Sequence, residues 1–248
     1  MQKNVPIIIN VPHSSTYIPP EELRYFTTPY LKHELDVMTD HYCDDLYDAG
    51  HRMIRFPVSR LVCDPERFRD DHDEIMASVG MGAVYTACSD GSKLRAVTAA
   101  HREEILKKYY DPYHKELEDA VEDSLREYGK CLIIDGHSFP AVPLPYESDQ
   151  NINRPDICIG TDESHTPPEI RKTLYRYFTE GGYSVEINSP FAGCIVPIKH
   201  YQKDLRVMSV MIEINRGLYI DDDIKKTEGY RRVKEDIATA IELLGSIF

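Results

Sequence analysis

Apolar runs of strand length recur along the chain at 5–11, 53–56, 60–63, 131–134, 157–160, 183–187 and 207–214. Those at 6–11, 132–134 and 207–214 are nearly continuous rather than alternating, the pattern of central strands buried on both faces. Stretches of helical period lie between them. One spans about 29–49. A second covers about 98–128, with a kink predicted at Pro112, because proline lacks the amide proton and clashes with the preceding turn. A third begins near Pro167, with Thr166 as N-cap, and stops before Gly181 and Gly182. The last runs over 222–244, with Asp221, Asp222 and Asp223 at its positive dipole end. Strands alternating with helices predict a three-layer α/β/α sandwich around a mainly parallel or mixed sheet. The stretches 67–93 and 139–154 follow neither period and read as long loops, which in compact enzymes usually carry function.

A length of 248 residues fits one α/β domain over 1–248 better than two small ones. No apolar run approaches the roughly 20 residues of a membrane helix, and residues 1–4 lead into an apolar run without a signal-peptide pattern. The expectation is a cytoplasmic protein that neither spans nor binds a membrane. With 42 acidic against 29 basic side chains the formal net charge is −13. Such a surface repels phosphate backbones, so no nucleic-acid partner is expected. It also repels acidic small molecules, so binding one requires arginines gathered in a pocket. The six cysteines, Cys43, Cys63, Cys88, Cys131, Cys158 and Cys194, form no CxxC pair and read as reduced, packed thiols.

In open α/β sheets ligands gather at the carboxyl ends of strands. The first strand leads into Pro12-His13-Ser14-Ser15, and the run at 130–134 leads into Asp135-Gly136-His137-Ser138. Imidazole and carboxylate are zinc ligands, and a catalytic site uses three of them with one position left open. Two His-Ser steps after buried strands therefore nominate His13 and His137 for one metal. Glu213 stands alone in the apolar run at 207–214. Burying an unpaired carboxylate costs several kcal/mol, so Glu213 either serves as a general base at a strand end, faces the surface from its strand, or pairs with Arg216.

Read in order, Val11-Pro12-His13-Ser14, Thr39-Asp40, the run at 59–67, Gly82-Ala83-Val84-Tyr85, the runs at 110–114 and 134–138, Arg154-Pro155-Asp156-Ile157, Pro190-Phe191-Ala192-Gly193 and Ile212-Glu213-Ile214 resemble the N-formylglutamate amidohydrolase family. The resemblance extends from His13 to Glu213. It implies a zinc-exopeptidase-like fold, related to zinc carboxypeptidases and aspartoacylases, with His137 as the late histidine ligand and Glu213 as the base. The carboxypeptidase pattern has a glutamate three residues after the first histidine, where this chain has Thr16. The resemblance offers Asp40 as the carboxylate ligand instead, with Asp36, one helical turn earlier, as competitor.

Arginine suits a carboxylate-bearing substrate because its planar fork makes two parallel hydrogen bonds. Arg60 and Arg67 flank the Cys63-Asp64-Pro65 turn, and Arg154 opens the Arg-Pro-Asp run. All three are candidates for substrate binding, with Asn188 and Gly193 beside them. His114 serves either packing or a supporting hydrogen bond. By resemblance, the expected reaction is zinc-dependent hydrolysis of N-formyl-L-glutamate to formate and glutamate, as in histidine degradation. Hydrolysis of other N-acyl amino acids or short peptides is a second reading, and a catalytically silent binding protein a third.

Overall fold

The computed structural model describes residues 6–247. Among the described residues, six strands form one sheet: β1 (Ile7–Val11), β2 (Arg52–Arg55), β3 (Cys131–Phe139), β4 (Ile157–Gly160), β5 (Val185–Ile187) and β6 (Val207–Asn215). Their order is β2-β1-β3-β6-β4-β5. β1 is parallel to β2 and β3, and β3 is parallel to β6. β4 runs antiparallel to β6 and parallel to β5, so the sheet is mixed, with a reversed pair at one edge. Every residue of β3 and β6 is buried, which is why the stretches 132–134 and 207–214 read as nearly continuous apolar runs. Val5, the first residue of the run at 5–11, lies outside the described residues.

The period of two still sorts these strands. Leu132 and Ile134 of β3, with Val210 and Ile212 of β6, pack on α3 (Cys43–Leu46), α6 (Pro168–Glu180) and α7 (Gly229–Ile247). Cys131, Ile133 and Val207 face α4 (Ala99–Ile105) and α5 (Asp111–Tyr128) on the other side. Asp135, His137 and Glu213 share the parity of this second face. Among the described residues, no helix is long and apolar enough to cross a membrane. All six cysteines are free, and Cys194 alone among them is not fully buried.

Several elements differ from expectation. Residues 60–63 form a buried turn rather than a strand: Ser59 Oγ accepts the Leu61 amide at 3.2 Å and the Ser59 carbonyl accepts the Val62 amide at 2.8 Å. The stretch 29–49 is broken into α2 (Leu31–Met38) and α3, with Thr39 extended and Tyr42 at φ 63°. The stretch 98–128 is one helical run whose disturbance before Pro112 is a π-helical turn, Leu106–Tyr110, as expected where a proline leaves a carbonyl without its donor. Thr166 does not cap α6. Pro167 occupies that position, and the Thr166 hydroxyl instead donates to the Ser209 carbonyl at 2.7 Å. α7 starts at Gly229, because Asp221 Oδ1 accepts the amides of Asp223 and Lys225 and closes a turn ahead of the helix.

Candidate active site

The parallel strands β1, β3 and β6 end on the same edge of the sheet, and a cleft of about 1170 Å³ opens there. His13 follows β1 by two residues. His137 lies within β3 rather than after it, in register with Glu213 on β6. Asp40 arrives from the break between α2 and α3, where its amide donates to the His13 carbonyl at 3.0 Å. His13, Asp40, His137 and Glu213 are all buried and all line the cleft. Asp36 points away from it and pairs with exposed Lys32 at 2.6 Å. The break in the predicted helix is what separates the two aspartates.

The imidazoles are oriented by carboxylates behind them. Asp64 Oδ1 accepts the Glu66 amide at 2.9 Å, and its Oδ2 accepts Arg60 Nε, Arg60 Nη2 and the Tyr85 hydroxyl at 3.1, 2.7 and 2.6 Å. His13 Nε2, 2.8 Å from Asp64 Oδ1, faces a pure acceptor and must carry the proton. That leaves His13 Nδ1, buried and without a hydrogen-bond partner among the described residues, 3.7 Å from Asp40 Oδ2. His137 repeats the arrangement. Its Nε2 lies 3.0 Å from Asp135 Oδ1 and its Nδ1 lies 3.2 Å from Asp40 Oδ2.

Two imidazole nitrogens thus converge on one carboxylate oxygen, an arrangement that needs either protons on the rings or a cation among the three atoms. Burial pushes the His137 imidazole down, but the Asp135 and Asp40 carboxylates outweigh it and hold its pKa well above usual. Burial likewise opposes ionisation of Asp40, yet the neighbouring His13 and His137 imidazoles and the Arg216 charge keep it well below the usual carboxylate range. The donor set, two nitrogens and an oxygen within 4.8 Å of one another, fits a divalent metal of the zinc class. The carboxylates behind the rings are the supports such ligands use.

Glu66, Asp135 and His137 make a second close group, but it is a poorer cation site. Asn10 Nδ2 donates there to Asp135 Oδ1 and Glu66 Oε1 at 2.8 and 3.1 Å, its amide oriented by the Tyr113 hydroxyl at 2.6 Å. Donors already occupy the space a metal would need. Burial pushes Glu66 up to about 8.

Glu213 Oε2 is buried with no hydrogen-bond partner among the described residues. Burial, aided by the neighbouring Asp40 charge and opposed by His137, raises its pKa to about 8. Arg216 does not pair with it among the described residues. That guanidinium is held by Asp40 Oδ1 at 2.8 Å, by Ser138 Oγ at 3.1 Å and by the Val37 carbonyl at 2.6 Å. A buried carboxyl that lacks a partner at Oε2 and lies beside His137 is suited to receive and return a proton.

The arginines separate. Arg67 lines the cleft with its Nε buried and unpartnered, and no acidic group among the described residues pairs with it. Arg60 also lines the cleft, but its Nε–Nη2 edge is committed to Asp64. Arg154 does not join the site. It is buried against Glu147, donates to the Pro140 carbonyl at 3.0 Å and lies over the Phe139 and Phe191 rings. Asn188 is also outside the cleft lining; its side chain bonds the Thr161 amide at 2.8 Å and hydroxyl at 2.9 Å, tying the end of β5 to the end of β4. Gly193 does line the cleft. His114 donates to the Pro65 carbonyl at 2.9 Å, and the Tyr110 hydroxyl donates to the Arg67 carbonyl at 2.9 Å, so the π-turn and α5 brace the segment carrying Glu66 and Arg67.

Sequence reasoning passed over Asp64, Asp135, Glu66 and the role of Arg216. A signal existed for Asp135, which stands two residues before His137 on the same strand face. Gly136 between them is required by close packing, because a Cβ there would lie 2.8 Å from the Tyr47 ring.

Comparison with known proteins gives a consistent result. The sequence model of the N-formylglutamate amidohydrolase family matches residues 5–220. N-formylglutamate deformylase of Pseudomonas aeruginosa is 26% identical over 235 residues, covering 88% of this chain and 83% of that protein. The crystal structure of N-formylglutamate amidohydrolase from Ralstonia eutropha superposes with a TM-score of 0.82 at 21% identity, over 98% of this chain and 94% of that one. A gene product of Agrobacterium tumefaciens gives a TM-score of 0.68 at 17% identity, over 98% and 92% of the two chains.

Proposed function

The chain belongs to the N-formylglutamate amidohydrolase family, and we propose that it hydrolyses the amide bond of N-formyl-L-glutamate or a similar N-acyl acidic amino acid, with one zinc ion held by His13, Asp40 and His137. The observation that carries this reading is the convergence of two carboxylate-anchored imidazoles on Asp40 Oδ2, 3.2 and 3.7 Å away, beside the unpartnered carboxyl of Glu213. When bound, zinc supplies Lewis acidity, polarising the amide carbonyl and making a nearby water easier to deprotonate.

The remaining chemistry belongs to the chain. Glu213, beside His137 across the β3–β6 register, takes a proton from the attacking water. A positive charge held nearby would lower its raised pKa into the range of a working base. The same carboxyl then returns the proton to the leaving amine nitrogen, so that water and N-formyl-L-glutamate give formate and glutamate. Arg67 holds a substrate carboxylate through its free guanidinium. Asp64 and Asp135 keep the two rings in place, and Arg60 acts through Asp64. The buried walls around Glu213 limit competing water.

The test is formate release from N-formyl-L-glutamate by purified protein, before and after chelator treatment and after zinc is restored. The expected result is turnover that is lost on chelation and regained with zinc. Turnover unaffected by complete metal removal would refute the zinc assignment, and absence of turnover in the zinc-loaded protein would refute the substrate.

A further inference from the structure

The two sides of the cleft differ in chemistry, and the sheet order says which part of a substrate meets each. Arg67 stands on the β1 side, three residues after Asp64, which is bonded to His13. On the far side of His137, toward β6 and β4, runs the segment 190–198. The Phe191 carbonyl accepts from the Cys158 thiol of β4 at 3.1 Å. The Ile195 amide donates to Asp135 Oδ2 at 3.1 Å. A Cβ on Gly160 of β4 would come within 2.3 Å of the Gly193 carbonyl. Phe191, Ala192 and Ile195 line the cleft there, together with Met211, two residues before Glu213 on the same face of β6.

An N-acyl amino acid with its carboxylate on Arg67 and its amide carbon between His137 and Glu213 directs its acyl group toward these apolar side chains. A formyl group presents only a hydrogen atom in that direction and leaves the surface uncovered. The whole cleft, about 1170 Å³, also exceeds the roughly 300–1,000 Å³ of ordinary small-molecule pockets.

Resting on the amidohydrolase reading above, we propose that the segment 190–198 and Met211 form an acyl subsite that takes short aliphatic acyl groups, so that N-alkanoyl amino acids are substrates beside the formyl compound. The reaction balances as simple hydrolysis. The water oxygen bonds to the acyl carbon, the C–N bond breaks, both water protons end on the amine nitrogen as an ammonium, and a short-chain carboxylate leaves with the free amino acid.

Steady-state kinetics of the zinc-loaded enzyme on N-formyl-, N-acetyl-, N-propanoyl- and N-butanoyl-L-glutamate test this directly. Formyl carbonyls are intrinsically more reactive, so acyl length is compared from acetyl upward. The expected result is a kcat/KM that rises from acetyl to butanoyl by up to about fourfold per methylene, the factor for burying one such group. Ala192→Trp, at an exposed position of the cleft wall, is expected to cut the butanoyl-to-formyl ratio of kcat/KM by about tenfold or more. Turnover of the formyl compound with no acetyl activity, or a tenfold fall from acetyl to butanoyl, overturns the subsite while leaving the amidohydrolase reading intact. An unchanged ratio in Ala192→Trp overturns its location, and no turnover of any of the four overturns both readings.

Discussion

Replacing Glu213 with glutamine separates a proton carrier from a structural acid. The substitution keeps the side-chain shape and removes the proton acceptor. A positioned base contributes about 10²–10⁴-fold, so kcat should fall by that factor, equivalent to about 3–5 kcal/mol of activation free energy. Stability should respond in the opposite sense. No ion pair is lost, because the Arg216 guanidinium is taken by Asp40 and Ser138, while a buried carboxyl without a partner at Oε2 is replaced by a neutral amide. In the metal-free protein the Glu213 carboxyl is raised from its ordinary 4.5 to about 8, chiefly by burial. Between those two values the folded state binds more protons than the unfolded state, so this group's contribution to stability falls as pH rises. Glu213→Gln abolishes that loss. The variant's thermal midpoint should therefore gain on the parent's from about pH 4.5 to about pH 8, both measured metal-free. Formate release gives kcat, and calorimetry or circular dichroism gives the midpoint. Near-normal turnover together with a lowered midpoint would refute the reasoning and make Glu213 a structural acid.

Other substitutions test the supporting parts. Arg67→Ala should raise KM for N-formyl-L-glutamate about 10–100-fold and leave kcat within about threefold, as expected for a charge-assisted contact made equally in ground and transition states; an unchanged KM removes Arg67 from the site. Arg154→Ala should leave KM unchanged but cost about 3–5 kcal/mol of stability by stranding buried Glu147, so a raised KM with a normal denaturation midpoint would contradict its placement. Asp64→Asn should weaken zinc binding about 10–100-fold in competition with a chromophoric chelator, and unaltered affinity would show that His13 does not depend on it. Gly136→Ala should cost about 1–3 kcal/mol by overpacking against Tyr47, measured by urea denaturation.

The central strands were legible because burial on both faces writes itself as a continuous apolar run, and His13 and His137 were legible as polar residues at or near the ends of such runs. Glu213 was legible for the same reason: an acid in an apolar strand demands a partner or a role. The break in the stretch 29–49 was not, because residues 31–46 have local helical character and the interruption comes from distant contacts. Asp40 is drawn to the His13 carbonyl, and Arg216 reaches the Val37 carbonyl at 2.6 Å. The turn at 60–63 resembled a strand because its apolar side chains are buried by packing under the cleft rather than by pairing in the sheet. Arg67 and Arg154 were indistinguishable in sequence, both being arginines in long loops. Glu147, seven residues before Arg154, decides between them by claiming its guanidinium. Asp64 and Asp135 went unassigned because anchoring a ring nitrogen requires knowing which way the ring faces.

The claim on which the rest depends is that His13, Asp40 and His137 hold one divalent ion through the Nδ1 atoms of both histidines. X-ray diffraction from crystals grown with zinc, with data collected on both sides of the zinc absorption edge, tests it most directly. The expected result is a single anomalous peak at full occupancy about 2.0–2.1 Å from His13 Nδ1 and His137 Nδ1 and about 2.0–2.2 Å from an Asp40 oxygen, with both Nε2 atoms still bonded to Asp64 and Asp135. A peak on His137 Nε2 among Glu66 and Asp135, or no peak in this cleft, would contradict it.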